Sequence, residues 1–177
     1  YVKNFVPNLE ASRGVIVDPS PGVPETLPPA FQIVPSAYEE FVPDQKFDYV
    51  ILNGALGETQ DICRILKNVK AASHPSTRII IYQHNHIWHE IIRLAEFLKI
   101  KKRGTIQNWI SVGDLTSSLK GMGFEVIRTF RRTIFPLHLA GLGPLLNFLS
   151  DVIPVFDLLK LDQFMIARPI FPHPTLP

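Results

Sequence analysis

His84, His86 and His89 place three imidazoles within six residues, together with Gln83, Asn85, Trp88 and Glu90, just after an apolar run that ends near Gln83. An imidazole titrating near neutral pH takes a proton from an acceptor hydroxyl, and it is also a common metal ligand. The spacing H-N-H-I-W-H fits no recurrent zinc pattern, and a paired-histidine motif with a glutamate between is absent, so no metal is expected. General-base work by His84, His86 and His89 is the sharper reading, and a polar loop whose histidines cap a helix is the plainer one. Asp18 is a second candidate, because it closes the short apolar run Gly14 to Val17 with a carboxylate. Asn53, Gly54 and Ala55 are a third, since small or polar residues leave room where the run Phe47 to Leu52 ends, at the edge where open α/β sheets place ligands.

These positions require elements to hold them. The near-continuous apolar run Phe47 to Leu52 suits a parallel strand covered on both faces. Ile62, Ile65, Leu66 and Val69 recur at helical spacing, with Asp61 near the start and Lys67 and Lys70 near the end, as the helix dipole favours. Cys63 lies inside that helix and reads as buried packing. Arg78 to Gln83, RIIIYQ, has the β-branched content of a buried strand. Gly14 to Val17 and Phe31 to Val34 read as short strands, and prolines at 19, 21, 24, 28 and 29 keep any helix between them short. Tyr1 to Leu9 reads as the tail of a helix, and Trp88 to Leu98 fits another. A further helix, capped by Asp114 or Thr116, is expected to end at Gly121 or Gly123. Phe124 to Phe130 follows as a strand, and Asp162 to Arg168 is its expected antiparallel neighbour at the sheet edge. Alternation of strand and helix is the signature of a parallel sheet with right-handed crossovers.

At 177 residues and 46% hydrophobic content the chain suffices for one domain with a sizeable core, expected over 1–170 with an extended tail at 171–177. A net charge of +2 argues against a general nucleic-acid binder, although Lys99, Lys101, Lys102 and Arg103 cluster locally, either as a solvated helix end or as an anion contact. One cysteine excludes an internal disulfide and makes a reducing, cytoplasmic setting the default. No apolar run reaches the roughly 18 residues that span a bilayer. Residues 134–161 are rich in Leu, Ile, Val and Phe but broken by Pro136, Gly141, Gly143, Pro144 and Pro154. They read as short helices forming an insertion or lid, and a surface for a lipid-linked substrate, a peripheral membrane face or a second copy of the chain are the sharper uses of that apolar surface.

The stretch FDYVILNGALGETQDI resembles the pattern F-D-x-V-x-x-x-x-x-L-E-H-x-x-D of class I S-adenosylmethionine-dependent methyltransferases, with Phe47, Asp48, Val50, Leu56 and Asp61 matching and Gly57 and Glu58 standing where the family often has Glu and His. GVIVDPSP is similar to the family's second strand, and LTSSLKGMGFEVIRTF to its late helix, turn and strand. The resemblance spans roughly Gly14 to Arg168 and implies a Rossmann-like α/β fold, mostly parallel, of seven strands with helices on both faces and an antiparallel edge strand. It implies S-adenosylmethionine as cofactor, held by Asp18, Pro19, Ser36, Ala37, Tyr38, Asn53, Gly54 and Leu56, with Asp18 taking both ribose hydroxyls and Ser36 to Tyr38 near the adenine. Trp88, Trp109 and Phe135 are expected to shape an apolar wall for a small-molecule, sugar or lipid-linked acceptor. The family's first strand and glycine-rich loop precede the stretch that begins at Tyr1, so the sequence is expected to be a piece of a longer protein. A non-catalytic Rossmann-like interaction module and an NAD-dependent oxidoreductase half are the rival readings.

Overall fold

A computed structural model describes residues 11–19, 29–85, 89, 108–132, 160 and 162–171. The chain divides into two compact units, Tyr1–Pro43 and Asp44–Pro177. The helices expected at 1–9 and 88–98, the basic cluster at 99–103, the insertion at 134–161 and the tail at 171–177 lie, apart from His89, Lys160 and Phe171, outside the described residues.

In the first unit β1 (Gly14–Val17) and β2 (Phe31–Val34) pair in parallel, with Gly14 opposite Phe31 and Val17 opposite Val34. Glycine at 14 has a packing reason: a Cβ there would stand 2.2 Å from the Phe31 ring, and its amide still donates to the Ala30 carbonyl at 2.8 Å.

The second unit runs β3 (Phe47–Asn53), α1 (Ala55–Glu58), α2 (Ile62–Ala71), β4 (Ser73–His84), α3 (Val112–Gly121), β5 (Phe124–Arg132) and β6 (Asp162–Pro169). Its sheet has the order β3-β4-β6-β5, with β3 and β4 parallel and β6 antiparallel to both of its neighbours. The described strands therefore form a two-stranded and a four-stranded sheet, a mixed α/β arrangement of the Rossmann-like kind. The antiparallel strand β6 lies inside the four, and β5 is the outermost.

Strand β4 supplies the axis of the core. Thr77, Ile79, Ile81 and Gln83 are buried on one face, while Arg78, Ile80, Tyr82 and His84 are half-buried on the other, the period of two that a pleated strand imposes. Met165 and Ala167 of β6 and Leu115 and Leu119 of α3 are buried as well, and α3 sets Val112 and Leu115 against Ile81 and Met165. Each large aliphatic side chain taken from water in this way contributes about 1.5–3 kcal/mol.

Helix α2 forms where the apolar spacing placed it. Asp61 accepts from the Arg64 amide at 2.9 Å as N-cap, and Ile65, Leu66 and Val69 face inward. Cys63 is exposed, not buried, because it falls beside that stripe. Helix α3 is capped by Ser111, one turn before the expected Asp114 or Thr116. The Ser111 hydroxyl accepts from the Asp114 amide at 3.1 Å and donates to the Asp114 carboxylate at 2.7 Å, so Asp114 holds the capping hydroxyl through both its backbone and its side chain. Gly123, at φ +76°, takes the left-handed turn after the helix, as expected of a glycine there. Two further expectations are corrected. β4 begins at Ser73, five residues before RIIIYQ. β3 is not covered on both faces: Tyr49 is 65% exposed.

Candidate functional site

Parallel pairing delivers the carboxyl ends of β1 and β2 to one edge. The Asp18 amide donates to the Val34 carbonyl at 3.3 Å, which extends the ladder one rung past β1 and leaves the half-buried Asp18 beside the exit of β2. Pro19 follows, exposed. After β2 the chain folds on the Ala37 carbonyl, which accepts from the amides of Glu40 and Phe41, each at 3.1 Å, and from the Ser36 hydroxyl at 3.1 Å. Ser36, Ala37 and Tyr38 are half-buried in this turn. Five of the expected cofactor residues, Asp18, Pro19, Ser36, Ala37 and Tyr38, are thus gathered at one strand edge.

In the second unit the carboxyl end of β3 is built mainly from backbone. Asn53 lies opposite Tyr82, and the Gly54 amide donates to the Tyr82 carbonyl at 2.9 Å. Gly54 adopts φ +73°, and a Cβ built on it meets nothing within 4 Å among the described residues, so this tip has room. The left-handed conformation costs other residues roughly 1–2 kcal/mol, which is the backbone reason for glycine here. The Leu56 side chain lies in the core, 1% exposed. Sequence reasoning missed Asn108: its amide donates to the Gly57 carbonyl at 3.0 Å and its side chain to the Thr59 carbonyl, tying the segment before α3 to the turn after β3.

The carboxyl end of β4 is built from side chains. His84 lies directly opposite Asp162, the first residue of β6. Its Nδ1 is 3.6 Å from Asp162 Oδ1, and the same oxygen accepts from the Tyr82 hydroxyl at 2.9 Å. Tyr82 meets His84 edge to face, with ring centroids 5.6 Å apart, and packs on Phe164, which stacks on Phe130 at 5.1 Å. On the opposite face Gln83 donates to the Ile110 carbonyl and to Gln163 Oε1, while the buried Asn85 donates to the Lys160 carbonyl at 2.9 Å. His89 packs on Trp109 with centroids 5.2 Å apart. His86, Trp88 and Phe135 lie outside the described residues. Among the described residues no group of three or more His, Cys, Asp or Glu is placed to hold a metal ion. Asp162 and Tyr82 also escaped the sequence reading; the hydrogen bond that joins them spans 80 residues.

A family model described as a methyltransferase domain matches residues 3–129. Among solved structures, an S-adenosylmethionine-dependent methyltransferase from Mesorhizobium loti is 16% identical, with 89% of this chain and 81% of that one covered and a TM-score of 0.60. A second such enzyme, from Archaeoglobus fulgidus, is 15% identical, with 94% and 90% covered and a TM-score of 0.62. At these identities the likeness is one of fold. No curated protein matches the chain.

Proposed function

The chain belongs to the methyltransferase-domain family, and from that premise we propose that it transfers a methyl group from S-adenosylmethionine to a hydroxyl of a small-molecule, sugar or lipid-linked acceptor. The observation that carries the reading is the Asp18 carboxylate at the edge where the parallel pair β1–β2 ends, beside the turn of Ser36 to Tyr38.

A carboxylate there accepts two hydroxyl hydrogen bonds at once, which suits the ribose of a nucleoside. Pro19 shapes the exit of Asp18, and Ser36, Ala37 and Tyr38 are assigned to the adenine. Asn53 and the open turn at Gly54 are assigned to the methionine end, with Leu56 backing that turn from the core. Taken each within its own unit, Asp18 offers a half-buried carboxylate and the turn at Gly54 offers room, the two features such a ligand needs. When bound, S-adenosylmethionine supplies an electrophilic methyl on a sulfonium. The protein must align the acceptor oxygen, exclude water and take up one proton, because an in-line displacement that loses charge gains most from orientation and desolvation. His84, His86 and His89 are the residues assigned to that proton.

Among the described residues no helix is long and apolar enough to cross a membrane. A cytoplasmic setting, without nucleic acid as partner, is part of the proposal. Peripheral membrane contact through 134–161 and self-association are the further partners it leaves to experiment.

Calorimetry of the natural protein with S-adenosylhomocysteine and with NAD tests the reading. The former is expected to bind, and Asp18→Ala to weaken it by about 1–3 kcal/mol, some 5- to 150-fold. Preference for NAD returns the oxidoreductase reading, and binding of neither returns the interaction module.

A further inference from the structure

The antiparallel register of β4 and β6 sets His84 against Asp162, with side chains 26% and 21% exposed. Among the described residues the buried His84 Nδ1 has no hydrogen-bond partner, and Asp162 Oδ1 stands 3.6 Å from it. A buried ring nitrogen carrying a proton requires an acceptor, and a carboxylate accepts without donating. Tyr82, two residues before His84 on the same face, donates to that same oxygen at 2.9 Å and lies edge to face with the imidazole. Tyr82 is held in turn by Phe164, and Phe164 by Phe130. The carboxylate is therefore fixed between a phenol and an imidazole at the head of an aromatic row. Arg132 lies opposite Asp162 on the other side of β6, and the buried Lys160 precedes it by two residues.

We propose that Asp162 is a positioning residue for His84: it holds the imidazole in the tautomer protonated at Nδ1, so that Nε2 carries the lone pair that accepts the proton of the acceptor hydroxyl. This rests on the methyl-transfer reading above and names the group that completes it. As the acceptor oxygen forms its bond to the methyl carbon, the carbon–sulfur bond breaks, its electron pair stays on sulfur, and the hydroxyl proton passes to His84 Nε2. The positive charge lost from the sulfonium reappears on an imidazolium whose Nδ1–H faces the Asp162 carboxylate. Tyr82 is the second positioning residue, fixing the oxygen that faces Nδ1. A positioned base of this kind is worth about 10²- to 10⁴-fold in rate.

Long-range proton–nitrogen NMR of the full-length protein, at a pH where the imidazole is neutral, reads the tautomer directly, with the His84 signal assigned by its loss in His84→Gln. The wild type is expected to be protonated at Nδ1. Asp162→Leu keeps a similar volume and removes both acceptor oxygens, and is expected to move the proton to Nε2, with Asp162→Glu expected to restore it. Tyr82→Phe keeps the ring and removes the bond to Asp162, so a mixed population is expected. It also keeps the test alive if Asp162→Leu does not fold. The affinity for S-adenosylhomocysteine, measured on the same variants, is expected to stay within twofold of wild type. A wild-type proton on Nε2, or a tautomer unchanged between wild type and Asp162→Leu, overturns the proposal. Absence of S-adenosylhomocysteine binding by the wild type, with the tautomer as expected, overturns the methyl-transfer reading and leaves the positioning of His84 intact.

Discussion

Two strand ends differ in how their pairing assembles them. At β1–β2 the strands are parallel, so both carboxyl ends leave at one edge and the residues that follow each strand, Asp18 and Ser36 to Tyr38, meet there. At β4–β6 the strands are antiparallel, so the carboxyl end of β4 meets the amino start of β6, and His84 faces Asp162. The rule that ligands sit after strands in open α/β sheets points to every residue proposed at the first edge. It finds only half of the second, because Asp162 opens its own strand rather than following one.

The largest expected effect comes from breaking the register beneath the antiparallel end. Ile81 lies opposite Met165, and both are buried under α3. Ile81→Ala removes the branched side chain and leaves a cavity, at a cost of about 2–5 kcal/mol. Urea unfolding followed by circular dichroism is expected to show the midpoint fall with the slope unchanged. A loss under 1 kcal/mol would mean that the β4–β6 register does not depend on this face. The parallel end is broken differently. Gly14→Ala pushes a methyl into the Phe31 ring, for about 1–3 kcal/mol of overpacking. Phe31→Leu in the same chain is expected to recover most of it. Equal stability of the single and double variants would show that the close approach does not hold β1 to β2.

Much of this was legible because the signals were local. The runs GVIV, FQIV and FDYVILN marked strands, and the stripe Ile62, Ile65, Leu66, Val69 with its Asp61 cap marked α2. Some errors had a signal that was present and outweighed. Ser111 stands three residues before Asp114, the spacing of a capping box, yet the acidic residue drew the assignment. Cys63 is off the apolar stripe of α2 by one position, which is enough to expose it. Others had no local signal. The apolar run of β3 reads the same whether or not other elements cover both of its faces, so the exposure of Tyr49 has no signal in the run itself. Asp162 becomes a neighbour of His84 only through strand pairing across the chain, and no spacing within either segment encodes that register.

The smallest expected effect sharpens the comparison from the far end of the antiparallel pair. Lys70, in the last turn of α2, donates to the carbonyls of Gly123 and Ile170, which flank the start of β5 and the end of β6, the latter at 2.5 Å. Its ammonium lies 4.9 Å from the Phe124 ring centroid and 4.8 Å from that of Phe171. Lys70→Met keeps the aliphatic stem and removes these contacts, for about 1 kcal/mol. Burial disfavours the charge and lowers the Lys70 pKa from its ordinary 10.5. The folded chain therefore releases this proton before the unfolded chain does. Between the lowered value and 10.5 the unfolded state binds more protons, so the stability contributed by this group rises with pH through that window and is flat below it. The difference in unfolding free energy between wild type and Lys70→Met is expected to shift in favour of wild type as pH approaches 10.5. A shift the other way would show that the two carbonyls and two ring faces favour the ammonium more than burial opposes it. The register of β5 and β6 would then be held by a charge rather than by its stem.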